Sequence, residues 1–218
     1  MKMYAATAII AVLSLSAHAN AQTLPECRAE TIGTDHTATA MVQMKGGALT
    51  PLVMVEIRPF KTVKNGLNET KFSQSPRFYF SKEANKTTGQ AGWFKWSLAL
   101  PDYYVDGNSG LEREKVLSLL ARTTDDLTIA SQNVEFETNN AFLESDPNNM
   151  EARQALNDWL SDPAEGKISL GLFAHQGGGT IIYVYSKASI HKGMAQADSH
   201  FANVRSQFME RKCKPVQR

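Results

Sequence analysis

Two cysteines, one near each end of the chain, most constrain how this polypeptide can fold. Cys27 and Cys213 are the only cysteines among its 218 residues. In an oxidising compartment, an isolated pair of this kind is expected to form a disulfide. The bond would close almost the whole chain into one loop, which the chain-entropy model equates to roughly 5 kcal/mol as an upper figure. The competing interpretation, a redox or nucleophilic thiol, lacks a Cys-x-x-Cys spacing and a histidine next to either sulfur in sequence.

The oxidising compartment is itself indicated by the first 21 residues. Lys2 supplies a positive charge, residues 5–15 are an apolar run, and Ala19-Asn20-Ala21 is a small-x-small cleavage site. The apolar run is shorter than the ~20 residues of a membrane span. This arrangement is typical of a secretory signal peptide. We therefore expect residues 1–21 to be removed, and residues 22–218 to act in the periplasm or outside the cell.

Charge and length restrict the class of protein. The predicted leader holds one of the 23 basic residues and none of the 22 acidic ones, so the mature chain is formally neutral. A neutral chain argues against a nucleic-acid partner, which selects for a basic surface. No later segment is apolar for long enough to span a membrane. The length of 22–218 suits one domain with a sizeable core.

Alternation of apolar and polar residues predicts strands through the first half of the chain. Residues 36–45 and 52–57 alternate and are joined by Gly46-Gly47, which predicts a hairpin. Further strands are expected at 77–82 and 93–100, and residues 61–75 are interpreted as an exposed polar loop. In the second half, residues 125–137 resemble a strand with poor alternation. Residues 167–174 and 180–185 predict a second hairpin.

Three helices are expected between and after these strands. Ser109 and Glu112 match a capping box before an apolar run at Val116, Leu117, Leu119 and Leu120. Asp146-Pro147 opens a second helix with an apolar stripe, and residues 188–211 form the third. The sequence thus predicts a single α+β domain with a mostly antiparallel sheet of about six or seven strands and three helices, the C-terminal helix packed on the sheet.

Candidate catalytic groups do not form a recognisable constellation. Ser109 lies in a Gly107-Asn108-Ser109-Gly110 turn that resembles the surroundings of a serine nucleophile, but its interpretation as a helix cap is favoured. His36, His175, His191 and His200 do not have the spacing of a zinc site. The carboxylate pairs cannot be placed across a cleft from sequence. No catalytic residue, metal ligand or cofactor is therefore assigned.

A contact surface is the alternative to catalysis. Three consecutive glycines at a hairpin tip and several clustered aromatic side chains would suit a sugar or a protein partner if they are exposed. If elements cover both faces of the sheet, the aromatic residues are packed in the core instead. The residues of this possible surface are Trp93, Tyr103, Tyr104, His175, Gly177, Gly178, Gly179, Tyr183 and Tyr185.

These observations favour an exported, non-catalytic protein that binds a protein or a cell-envelope component. Two alternatives remain open from the sequence. One is an exported hydrolase acting on envelope glycan or peptide, which would need a cleft that collects His175 or Ser109 with acidic residues. The other is a carrier with a small-ligand pocket between sheet and helices.

Export makes a direct prediction about the mature N-terminus. When the full chain is expressed in a bacterium, intact mass and N-terminal sequencing of the protein are expected to show a chain that begins at Gln22. Recovery of the uncleaved chain from the cytosol would contradict the predicted leader.

Overall fold

The computed structural model describes most of the predicted mature chain. The described residues are 25–45, 48–65, 70–72, 74–84, 91–100, 103–105, 116–135, 141–174 and 180–215. The predicted leader and the predicted cap at Ser109 lie outside these ranges.

Most of the described backbone is extended. The strands, in chain order, are β1 Pro25–Ile32, β2 His36–Lys45, β3 Ala48–Ile57, β4 Lys61–Asn65, β5 Thr70–Phe72, β6 Arg77–Ala84, β7 Ala91–Leu100, β8 Tyr103–Val105, β9 Val116–Thr123, β10 Thr128–Glu135, β11 Ala141–Glu144, β12 Lys167–Ala174, β13 Thr180–Ser186 and β14 Lys214–Pro215. Sheet 1 has the order β11-β7-β6-β3-β2-β1-β14, and sheet 2 has the order β10-β9-β12-β13-β4. Strands β5 and β8 form a separate pair.

Two helices occur within the described ranges. Helix α1 spans Met150–Ser161 and helix α2 spans Lys187–Met209. Each begins after a polar side chain that accepts a first-turn N–H: Asn149 accepts from Ala152, and Ser186 accepts from Ser189. Neither helix is long and apolar enough to cross a membrane. The prediction of an α+β fold with antiparallel strands and a C-terminal helix packed on a sheet is confirmed.

The predicted helix around residues 116–120 is wrong, and the segment is strand β9. Leu119 and Ala121 are buried on one side, and Leu120 lies on the other, which is the two-residue period of a strand. β9 pairs with β10 and with β12, so both of its edges are hydrogen-bonded. The short apolar run fits helical and extended spacing alike, and the pairing with distant β12 decides the outcome. The described ranges therefore hold two helices instead of three.

The predicted single sheet of six or seven strands is also wrong, because the strands are divided between two main sheets. Part of the 61–75 segment interpreted as a loop forms β4, which is hydrogen-bonded to β13 at the edge of sheet 2. The predicted hairpins are confirmed: β2 pairs with β3, and β12 pairs with β13.

The hydrophobic core joins the two sheets and both helices in one cluster. Its buried members include, from sheet 1, Val55, Phe78, Phe80, Leu98 and Leu100; from sheet 2, Leu119, Leu170, Leu172, Ile181 and Tyr185; and from the helices, Leu156, Trp159, Ile190 and Ala197. The sheets meet directly where the ring of Phe78 packs edge-on against Tyr185, with centroids 4.9 Å apart. The Tyr185 hydroxyl donates to the Pro76 carbonyl at 3.0 Å, so its polar group is satisfied although the residue is fully buried.

Helix α2 lies across the β1–β3 part of sheet 1. The helix packs tightly on the sheet at Gly193, where a Cβ atom would come within 2.5 Å of a Val55 methyl carbon. A glycine is needed there because any side chain would push the helix away from β3.

Helix α1 is held against β7 by a buried arginine. Arg153 Nε donates to the Phe94 carbonyl at 2.9 Å, and its Nη2 donates to the Glu83 carboxylate. The guanidinium therefore has both a charge partner and a backbone acceptor, which burial of a cation requires.

The predicted disulfide is confirmed. Cys27 on β1 is bonded to Cys213, with Cα atoms 4.8 Å apart and a sequence separation of 186. That distance is ordinary for a disulfide. Cys27 is buried in a small cluster with Ala40, Val42 and Val204, so the bond ties the end of α2 to the outer strands of sheet 1.

Removal of the disulfide is expected to destabilise the fold. The double variant Cys27→Ala/Cys213→Ala should lose about 2–5 kcal/mol of unfolding free energy, because the unfolded chain is no longer closed into a loop. For a domain of this size the loss corresponds to several degrees in Tm. Calorimetry of the oxidised protein, the reduced protein and the variant measures it. A free thiol in the native protein, or an unchanged Tm after reduction, would contradict this assignment.

Candidate functional site

Sheet 2 turns one face to the core and the other to solvent. On β12, Ile168, Leu170 and Leu172 are in the core cluster, and the alternate residues point the opposite way. We call this second side the open face; the members on the four neighbouring strands β9, β12, β13 and β4 are Ser118, Leu120, Arg122, Lys167, Ser169, Gly171, Phe173, Thr180, Ile182, Val184, Lys61 and Val63.

An apolar row crosses the open face at right angles to the strands. The registers place Val63 beside Ile182, Ile182 beside Gly171, and Gly171 beside Leu120. The ring of Phe173 lies over Gly171, where a Cβ atom would be 2.9 Å from the ring. Val63 and Phe173 are each 37% exposed, and Leu120 and Ile182 are half-buried. The row is therefore apolar surface that water reaches.

The next row of the open face carries charge. Its order is Lys61, Val184, Ser169 and Arg122. Lys61 is exposed, and the Arg122 side chain is half-exposed with Asp126 at 4.0 Å. Both ends of this row are thus cationic, while Val184 in the middle is buried.

A pocket of about 500 Å³ lies beyond this row and opens to solvent. Its lining residues are Phe60, Thr124, Glu165, Gly166, Lys167, Ser186 and Ala188. The Phe60 N–H donates to the Val184 carbonyl at 2.9 Å, so Phe60 continues the pairing of β4 with β13. Phe60 is 59% exposed, so its ring is accessible from solvent.

Backbone hydrogen bonds fix the walls of the pocket. The Lys167 N–H donates to Thr124 Oγ1 at 2.9 Å, and the Thr124 N–H donates to the Lys167 carbonyl at 3.0 Å. The Lys187 N–H donates to the Gly166 carbonyl at 3.0 Å, which holds the start of α2 against the same segment. The pocket therefore lies where the ends of paired strands and the start of α2 meet the connecting segments that hold Phe60, Thr124 and Glu165.

A buried lysine lies behind the pocket. Lys187 is only 1% exposed, and its ammonium lies 4.5 Å from the centre of the Trp159 ring, a cation–π contact. A Cβ on Gly166 would be 3.1 Å from Lys187 Cδ and 3.2 Å from the Trp159 ring. Gly166 consequently allows the pocket wall, the lysine stem and the tryptophan to pack together.

The structure separates the residues of the predicted contact surface. Trp93 is 8% exposed, and Tyr183 and Tyr185 face the core, so these three rings are packed rather than displayed. Tyr103 and Tyr104 are on β8, which is hydrogen-bonded to β5 and belongs to neither sheet 1 nor sheet 2. Their side chains are not among those that the structure describes. His175 and Gly177, Gly178 and Gly179 lie outside the described residues. Their role as a contact loop stays a prediction.

A hydrogen-bonded cluster that the sequence did not predict joins the β1–β2 turn to α2. His36, 1% exposed, donates from Nδ1 to Asp35 Oδ1 at 2.7 Å, and its Nε2 lies 2.8 Å from Gln196 Oε1. The Ser189 hydroxyl donates to the other Asp35 oxygen. These hydrogen bonds, the one from Ser189 first, hold the pKa of Asp35 below its ordinary value against the opposing effect of burial. No local signal could have found the cluster, since Ser189 and Gln196 lie more than 150 residues after Asp35 and His36 in sequence.

This cluster has the residue types of a catalytic triad but a different connectivity. In a triad the histidine takes the proton of the serine, whereas here Ser189 and His36 both donate to Asp35. The other two described histidines are also engaged: His191 Nε2 lies 2.7 Å from the Leu160 carbonyl, and His200 Nε2 lies 2.7 Å from Thr31 Oγ1. Within the described part of the chain, no group of three or more His, Cys, Asp or Glu residues is arranged to hold a metal ion.

Comparison of the chain with protein-family models, curated proteins and solved structures finds no match. The open face and its pocket therefore remain the candidate functional site.

The Asp35 cluster predicts a pH-dependent contribution to stability. Because the folded-state pKa of Asp35 lies below the unfolded value near 3.8, its stabilising effect is complete above that pH and is lost as the pH falls through the folded pKa. Asp35→Asn should therefore be less stable than the wild type at pH 7, and the difference should shrink below pH 3.8. Urea unfolding of both proteins across this range measures it. A difference that stays constant with pH would contradict the assignment.

Proposed function

We propose that this chain is an exported, non-catalytic protein that binds a partner in the cell envelope with the open face of sheet 2. The observation that carries the proposal is the apolar row of Val63, Ile182, Leu120 and Phe173. The solvent side of an antiparallel sheet ordinarily alternates to polar residues. A continuous apolar row there, bordered by charged residues, is typical of an interaction surface.

The placement of the row favours binding by a preformed surface. β9, β12 and β13 are each paired on both edges, so the backbone beneath the row is held in register. A rigid surface loses little conformational entropy when a partner docks. Lys61 and Arg122, at the two ends of the neighbouring row, would orient the partner through its acidic or hydroxyl groups.

Two further observations support the export half of the proposal. The disulfide between Cys27 and Cys213 is a bond that persists in oxidising compartments. The N-terminal sequence has the charge, apolar run and cleavage site of a leader. Together they favour the periplasm or the extracellular space.

A charge placed in the apolar row is expected to weaken binding. Purified residues 22–218 should co-sediment saturably with isolated bacterial envelopes. Val63→Lys should raise the apparent Kd by at least about tenfold, or 1.4 kcal/mol, because an ammonium in the contact must lose its water. The sedimented fraction, measured against protein concentration, reports the affinity.

Thr62→Lys is the matched control. Thr62 is the neighbouring residue on β4 and is also exposed. It pairs with Tyr183, so both lie on the side of the sheet away from the open face. The variant adds the same charge to the same edge strand and should bind as the wild type does. Equal losses in both variants, or no saturable sedimentation of the wild type, would rule out the open face as the binding surface.

A further inference from the structure

The pocket beside Phe60 combines an exposed aromatic ring with hydrogen-bonding groups of both kinds. Glu165 offers acceptors and Lys167 offers donors, and Thr124 and Ser186 line the same space. Glu165 and Lys167 are both exposed. A volume of about 500 Å³ falls within the range of small-ligand sites.

The charges of the pocket restrict the ligand. A singly charged ligand, anionic or cationic, is attracted by one of the two side chains Glu165 and Lys167 and repelled by the other, so the two interactions oppose each other. An uncharged group with many hydroxyls meets no such repulsion, and it can donate to the carboxylate and accept from the ammonium at once. The polar walls thus match a neutral, hydroxyl-rich ligand.

The aromatic ring restricts it further. The Phe60 ring is a flat apolar surface with no polar side-chain atom. A ligand that packs well against this ring therefore has a flat apolar side of its own. A saccharide ring has this combination, because its C–H groups are exposed on its faces and its hydroxyls lie around the rim. A peptide in extended form instead directs its hydrogen bonds to a strand edge or to side-chain pockets in alternation.

We propose that this pocket binds one uncharged saccharide ring, stacked on Phe60 and hydrogen-bonded to Glu165 and Lys167. The inference rests on the proposed function for the source of the sugar, which is a glycan of the envelope. Lys167 and Ser186 lie opposite each other in the register of β12 and β13, one step beyond Ser169 and Val184. The pocket is therefore continuous with the open face, and the rest of a glycan chain would extend from the pocket across that face.

The test is an NMR titration of residues 22–218 with tri-N-acetylglucosamine, which carries hydroxyl and amide groups but no charge. Saturable shifts are expected at the amides of Phe60, Gly166 and Ser186. Phe60→Ala should raise the Kd by at least about tenfold, and Phe60→Tyr, which keeps the ring, should bind within about threefold of the wild type.

Phe142→Ala is the matched control. Phe142 lies on β11 at the edge of sheet 1 and is 58% exposed, close to the 59% of Phe60. Its removal should leave the titration unchanged. Circular dichroism melting of each variant verifies that the loss in Phe60→Ala is not a loss of folding.

The outcomes separate this inference from the proposed function. Absence of shifts at the pocket, or equal effects of the two alanine variants, would overturn the saccharide site. If envelopes still bind the wild type and Phe60→Ala equally in that case, the proposed function stands without a saccharide site. Shifts at the pocket with a tri-alanine peptide but not with the trisaccharide would overturn the saccharide site and assign the surface to a protein partner. Shifts with the trisaccharide and no envelope binding would support the pocket and overturn the proposed function.

Discussion

The packing of sheet 2 on sheet 1 is the interaction on which the other features depend. It is centred on buried side chains from both sheets, with Phe78 in direct contact with Tyr185. Burial of this apolar surface is the main favourable contribution to the stability of such a fold. Because residues alternate along a strand, the choice of inward side chains on β12 and β13 also selects the outward ones. The core packing therefore determines which residues of these strands form the open face.

The two sheets are covered unequally, and this inequality defines the candidate site. Sheet 1 receives α2 along β1–β3 and α1 at β7. The open face of sheet 2 keeps Val63 and Phe173 accessible beside the pocket of Phe60. Under the proposed function, stability and recognition depend on opposite sides of the same strands, so substitutions on the open face would alter binding without removing core contacts.

Local patterns predicted the elements whose partners are close in sequence. The β2–β3 and β12–β13 hairpins and helix α2 follow from alternation, turn glycines and helical spacing, and the cysteine pair follows from compartment chemistry. The open face has no such signal. Val63 lies in a polar segment, and it becomes part of an apolar row only because β4 pairs with β13, more than a hundred residues away. Tyr185 is one of the aromatic residues for which the sequence left a surface role and a core role open, and the inter-sheet packing buries it.

Gly193 also influences how Cys213 meets Cys27. A helix that slides by one residue moves about 1.5 Å along its axis and turns by about 100°. Such a slip would place a side chain where Gly193 now has only a hydrogen atom, and that side chain would clash with Val55. The close contact at Gly193 therefore fixes the axial position of all 23 residues of α2 on the sheet. Cys213 lies four residues after the end of α2. The axial position of the helix therefore also determines where the Cys213 sulfur lies, which is within bonding distance of Cys27.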